Sequence, residues 1–139
     1  MNGDPVNQIL ELKKSLNMLY RKIIPEEEIK KTEIIILLKI NDEEKITPSR
    51  LSKLTGFSKS MITMTLVNLE KKDMIIKLKG SDRRISYIIL TEKGKNYAEN
   101  FIDDIKKNLS ELIKKIPEKD FKDFSSCLKQ MNNYLKFLI

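Results

Sequence analysis

The chain has 139 residues, of which 40% are hydrophobic, 34% charged and 6% aromatic, a balance that allows one core and favours long, solvated helices around it. No run of about 18 apolar residues occurs, and Asp4 and Pro5 break the N-terminal stretch, so a cytoplasmic protein without a membrane partner is expected rather than an exported one. A lone Cys127 allows no intramolecular disulfide, and the absence of histidine removes the usual zinc ligand and imidazole base, so no metal, cofactor, catalytic residue or enzymatic activity is expected.

The net charge of +7 is unevenly spread. Between Pro48 and Ile88 stand nine basic residues against three acidic ones, so nearly all of the excess lies in the central third. Scattered charge is usually a solvated surface; charge gathered in one segment points to a polyanion partner.

Prolines mark the helix starts. Pro5, Pro25, Pro48 and Pro117 each precede helical periodicity, where a missing N–H costs nothing and the fixed φ helps. The first helix is predicted from Pro5 to Ile23, with Ile9, Leu12, Leu16, Leu19 and Ile23 at three- and four-residue steps. That stripe needs a partner. After the acidic stretch from Pro25 to Glu28, Thr32 and Glu33 open a second helix. Its run from Ile34 to Leu38 is apolar on nearly every side, as a central helix would be, although periodicity leaves a buried strand open. Asn41 to Lys45 reads as a polar loop, with Ile46 a candidate for a minimal strand.

Thr47 and Pro48 read as an N-cap and an N1 proline, opening a short helix that faces Leu51 and Leu54 inward. Gly56 supplies a turn, Ser58 caps the next helix, and Phe57 with Ile62 has the spacing of a hydrophobic staple. Two short helices joined by a tight glycine turn are the helix-turn-helix pattern. In the second of them Ile62, Leu66 and Leu69 form the inner face, leaving Ser58, Lys59, Ser60, Thr63, Met64, Val67 and Asn68 outward. Such a face suits a DNA groove: Asn pairs with adenine, Ser or Thr with either base edge, and apolar groups with the thymine methyl. The competing reading packs Met64 and Val67 under a neighbouring element.

Ile75 to Lys79 and the β-branched and aromatic run from Ile85 to Leu90 are predicted to pair as a hairpin, with Gly80, Ser81 and Asp82 turning the chain and Arg83 and Arg84 at its tip. Two guanidinium forks offered to solvent suit an anionic groove better than a core. Thr91 and Glu92 begin a long helix with Tyr97, Ala98, Phe101, Ile102, Ile105, Leu109, Leu112 and Ile116 as its stripe. After Pro117 the last helix carries Phe121, Phe124, Leu128, Met131, Leu135 and Leu138 alternately three and four apart, a heptad seam better covered by another chain than by a monomer core.

Two blocks resemble the MarR-type winged helix-turn-helix regulators. Gly56-Phe57-Ser58-Lys59-Ser60-Met61-Ile62-Thr63, running on to Leu69-Glu70-Lys71-Lys72, is similar to that family's recognition helix. Asp82-Arg83-Arg84, followed by Leu90-Thr91-Glu92-Lys93-Gly94, is similar to its wing and the exit into its dimerisation helix. The likeness covers almost the whole chain. It implies a mainly α fold with a small β-hairpin (α+β): a single domain over 1–139, with a winged helix-turn-helix over 32–91 flanked by N- and C-terminal dimerisation helices over 5–24 and 92–139.

The resemblance also implies a function: a homodimeric repressor on double-stranded DNA, responsive to a ligand or signal. Ser58, Lys59, Ser60, Thr63, Met64 and Asn68 would contact the major groove. Asp82 would orient Arg84 toward the minor groove, beside a phosphate or second groove contact from Arg83. Two departures stand out. Met64 and Asn68 stand where arginine is common in the family, which implies a less charged and more A/T-directed base readout. Asp73 stands where glycine is usual in the turn after the recognition helix, and Asp tolerates the left-handed C-cap conformation. Pockets for small-molecule effectors in this family lie near the first, second and fifth helices, which nominates Tyr20 and Arg21. Cys127, in the last helix rather than near the first, is expected to be buried and inert rather than an oxidant sensor. The alternative of another class is a winged-helix protein-interaction or non-specific nucleic-acid-binding module.

Overall fold

A computed structural model describes residues 3–24 and 28–138. In chain order the elements are α1 (Pro5–Ile23), α2 (Lys31–Glu43), α3 (Pro48–Thr55), α4 (Lys59–Lys71), β1 (Ile75–Lys79), β2 (Ser86–Leu90), α5 (Glu92–Ile113) and α6 (Glu118–Leu138). The helix start read at Pro25 lies outside the described residues. The chain divides into two compact units, Met1–Ile102 and Asp103–Ile139.

In the first unit α1 begins as its sequence dictates. Pro5 takes the first helical position and the Asp4 carboxylate accepts from the Val6 N–H at 3.0 Å. None of its residues is buried: Ile9 and Leu12 are exposed, and Leu16, Leu19 and Ile23 are half-buried. The centre is α2, a helix and not the alternative strand. It buries Ile34, Ile36, Leu37 and Ile40 and packs against α3, α4 and β2. Asn41, Asp42 and Glu43 belong to this helix and not to the loop that their polarity suggests. Ile40 is wholly buried, and the backbone carbonyls of the turn before it need N–H partners four residues on. The helix stops at Glu44, whose φ of +62° breaks the ladder. Ile46 then forms a one-residue antiparallel bridge to Ile88, donating at 3.1 Å and accepting at 2.7 Å.

The helix-turn-helix closes through side chains. The Thr47 hydroxyl oxygen caps α3 by accepting from the Arg50 N–H at 3.2 Å, and the Ser58 oxygen caps α4 by accepting from the Met61 N–H at 3.1 Å. Between them Gly56 sits at φ +74°, where a Cβ would be strained. The Ser52 hydroxyl donates to the Phe57 carbonyl at 2.7 Å and ties α3 to the entry of α4. At its other end α4 stops in a Schellman motif: Met74 N–H donates to the Leu69 carbonyl and Asp73 N–H to that of Glu70, both at 3.0 Å. Asp73 takes φ +59°, so it fills the left-handed position expected of it.

Strands β1 and β2 pair antiparallel from Ile75 with Leu90 to Lys79 with Ser86. Ile85, expected in the strand, lies in the loop, where its N–H donates to the Asp82 carbonyl at 3.0 Å and its carbonyl accepts from Gly80 N–H at 2.9 Å. Thr91 locks the exit. Its hydroxyl accepts from Gly94 N–H at 3.0 Å and donates to the Asp73 carbonyl at 2.6 Å. Gly94 is buried so closely that a Cβ there would overlap the Met74 carbonyl oxygen. The Thr-Glu-Lys-Gly motif therefore clamps α5 onto the end of α4.

The second unit holds the end of α5 and all of α6. None of its described residues is buried, and Phe124, Leu128 and Leu135 of the seam are exposed. Cys127 is exposed as well, contrary to the expected burial, and no residue of α6 is buried in the single chain.

Candidate nucleic-acid interface

The buried stripe of α4 is Ile62, Thr65, Leu66 and Leu69. Helical geometry puts Ser60, Met64, Val67 and Lys71, at steps of four, three and four, along the opposite line. Met64 is 64% exposed and Val67 37%, so both reach the surface on the outward side, Val67 more covered than Met64. Lys59, Ser60 and Thr63 are exposed and Asn68 is half-buried. Two hydroxyls are committed locally: Ser58 uses its oxygen as the cap, and Thr63 donates to the Lys59 carbonyl at 2.9 Å. The remaining outward face is small, apolar-tipped and uncharged between its lysine ends.

At the hairpin tip Asp82 grips Arg84. One carboxylate oxygen accepts from the Arg84 backbone N–H at 3.1 Å and from Nε at 3.3 Å, and the other from Nη2 at 3.3 Å. The guanidinium fork matches the carboxylate geometry and is held in one direction while its side chain stays 90% exposed. The Arg84 side chain, then its backbone N–H, lowers the Asp82 pKa from the ordinary 3.8. Arg83 is exposed beside it. Arg84, Ile85 and Ser86 share a groove of about 390 Å³ with Thr47, Pro48 and Ser49 at the start of α3. Sequence reading missed Ser49 in this groove, having read Thr47-Pro48 only as a cap; the bridge at Ile46 is what brings the two segments together. Lys45 places its ammonium 4.1 Å from the centre of the Tyr87 ring on the same hairpin.

A second concavity, of about 370 Å³, is lined by Asn17, Tyr20, Arg21, Ile24, Ile29, Lys30 and Lys31. Both nominated residues, Tyr20 and Arg21, belong to it. The lysines were missed, although their position just ahead of Thr32 was the available signal. Lys31 donates to the Asn17 side-chain oxygen at 2.9 Å, and the Tyr20 ring lies 5.7 Å from that of Phe101. Three cations beside an apolar wall suit an anion with an apolar body. From the same first turn of α2, buried Glu33 accepts from Lys72 at the end of α4. Tyr97 of α5 has its pKa raised, first by burial and then by the charges of Glu28 and Glu33.

No protein-family model matches the chain. It is 33% identical over 79 residues to the HTH-type transcriptional regulator SarZ of Staphylococcus epidermidis, a match that covers 56% of this chain and spans about half (53%) of that relative. Among solved structures it is similar to Streptococcus pneumoniae FabT in complex with DNA (TM-score 0.78, 22% identity, 94% of this chain and 99% of that one). It is also similar to apo MarR from E. coli (0.79, 21%, 92% and 96%) and to MepR, a transcription regulator of the Staphylococcus aureus multidrug efflux pump MepA (0.79, 16%, 95% and 98%). Among the described residues no helix is long and apolar enough to cross a membrane. With six helices and a two-stranded antiparallel hairpin among its described residues, and with these likenesses, the chain has the fold of the MarR-type winged helix-turn-helix regulators.

Proposed function

We propose that the protein is a sequence-specific, double-stranded DNA-binding transcriptional regulator of the cytoplasm and not an enzyme, a repressor that acts as a homodimer on a pseudo-palindromic operator. The observation that carries this reading is the Asp82–Arg84 pair, which aims an exposed guanidinium from a hairpin tied by its Ile46–Ile88 bridge to the entry of the helix-turn-helix. In it α4 enters the major groove with Ser58, Lys59, Ser60, Thr63, Met64 and Asn68, while Arg84 reads the flanking minor groove by its narrow, negative shape and Arg83 meets phosphate. The region 32–91 binds DNA, and the helices over 5–24 and 92–139 pair two copies into one assembly.

A small anionic effector in the concavity of Tyr20 and Arg21 is the signal. Two recognition helices must stay about one helical turn, roughly 34 Å, apart to reach both half-sites. The effector would contact Lys30 and Lys31 at the start of α2, whose Glu33 holds the end of α4. Binding there can therefore change that spacing.

Selection of duplexes from a randomised pool, at fixed salt and with bulk competitor DNA, tests the reading. A preferred duplex retained over competitor by a factor on the order of 10³ or more is expected. Loss of all binding to competitor would instead favour a non-specific nucleic-acid module.

A further inference from the structure

Resting on that reading, we infer that the operator half-sites are A·T pairs recognised through thymine methyl groups by Met64 and Val67. The two side chains occupy the middle of the outward line of α4 and are exposed to 64% and 37%. Thr63 lies beside them on the outward side. Its hydroxyl hydrogen is already donated to the Lys59 carbonyl at 2.9 Å, so it offers its methyl group and an acceptor lone pair.

The side chains that would read guanine are missing from that centre. Guanine is recognised through O6 and N7 by Arg or Lys, and α4 carries no arginine. Its lysines are Lys59 at the first residue and Lys71 at the last. They stand roughly 18 Å apart along the helix axis, at the two ends of the face and clear of the central positions that Met64 and Val67 hold. Glu70, which could accept from cytosine N4, lies off the outward line, between it and the buried stripe.

In the major groove the thymine methyl is the one apolar group on any base edge. Met64 and Val67 set against guanine O6 or cytosine N4 would strip water from a polar group and return no hydrogen bond. Set against thymine, they bury methyl on methyl. Asn68, half-buried at the edge of the face, adds an amide that matches adenine. Arg84 has a compatible preference in the flank, since A-tracts have the narrowest and most negative minor grooves.

The test uses the full chain and the duplex obtained by selection, with each thymine of a half-site replaced in turn by deoxyuridine. That change removes one methyl and keeps every hydrogen-bonding group. Expected are half-sites dominated by A·T pairs and, at one or two positions in each, an affinity loss of about fourfold per methyl. In the Met64→Ala protein, whose altered side chain is mostly solvated, the loss at one such position should shrink toward none. Selected half-sites centred on G·C pairs, or a flat deoxyuridine scan, would overturn the methyl readout and leave DNA binding standing. Absence of any preferred duplex would overturn both, so the two failures are distinguishable.

Discussion

The Lys72 ammonium donates to both oxygens of the Glu33 carboxylate, at 2.7 and 3.1 Å, and so joins the first turn of α2 to the C-cap of α4. The pair is asymmetric: the Glu33 side chain is 2% exposed and that of Lys72 33%. Removing the cation strands a buried carboxylate, whereas removing the carboxylate lets the ammonium turn to water. Lys72→Met should therefore destabilise the fold by about 3 kcal/mol, and Glu33→Gln by about 1 kcal/mol. Denaturant midpoints at unchanged slope measure both; equal losses would contradict the asymmetry.

Gly94→Ala should be the costlier of two glycine changes. Its new Cβ meets the Met74 carbonyl, part of the backbone junction held by Thr91, and relief requires α5 to move, at about 2 kcal/mol or more. Gly56→Ala meets open space and is penalised only for its positive φ, about 1 kcal/mol. Equilibrium unfolding of the two variants should rank them in that order.

Arg84→Ala should weaken binding to the selected duplex by about 1 to 3 kcal/mol and leave thermal stability unchanged, since the side chain is almost wholly exposed. Asp82→Asn should weaken binding less, by freeing the guanidinium without removing it. The pH dependence has a definite sign. Asp82 has a folded pKa below its ordinary 3.8, so the pair is intact above that value and is lost only as pH falls through the lowered one. Operator titrations across the neutral range should show no step from this carboxylate.

What could be read from the sequence was local chemistry. Pro5, Thr47-Pro48, Gly56 and Ser58 each fix a helix end through their own backbone preferences or side-chain oxygens, and the structure starts or stops helices where they stand. Asp73 belongs with them, because left-handed tolerance is a property of the residue. The end of α2 was not legible: Asn41 to Glu43 are polar enough for a loop, and their helicity comes from Ile40, which tertiary packing buries. Nor was Glu33–Lys72, a pair 39 residues apart with no periodicity to announce it. The Asp82–Arg84 pair came from resemblance, while its bidentate geometry is a finding of the fold.

Leu128 and Leu135 offer a test of self-association that leaves the first unit intact. They are 36% and 47% exposed in the single chain and outside its buried core, so replacing both with Glu strands no buried charge. Sedimentation should show monomers that keep their helical content, and operator affinity should fall with the lost second half-site. A double variant that still sediments as a dimer would place the subunit interface elsewhere.

The most direct measurement is a hydroxyl-radical footprint of the full chain on its selected duplex. Two recognition helices entering successive major grooves, each flanked by a wing, predict two symmetric protected patches on one face of the DNA, centred about 10 base pairs apart. Outer protection at the minor grooves should disappear in Arg84→Ala. A single asymmetric patch, or uniform protection along the duplex, would contradict the account.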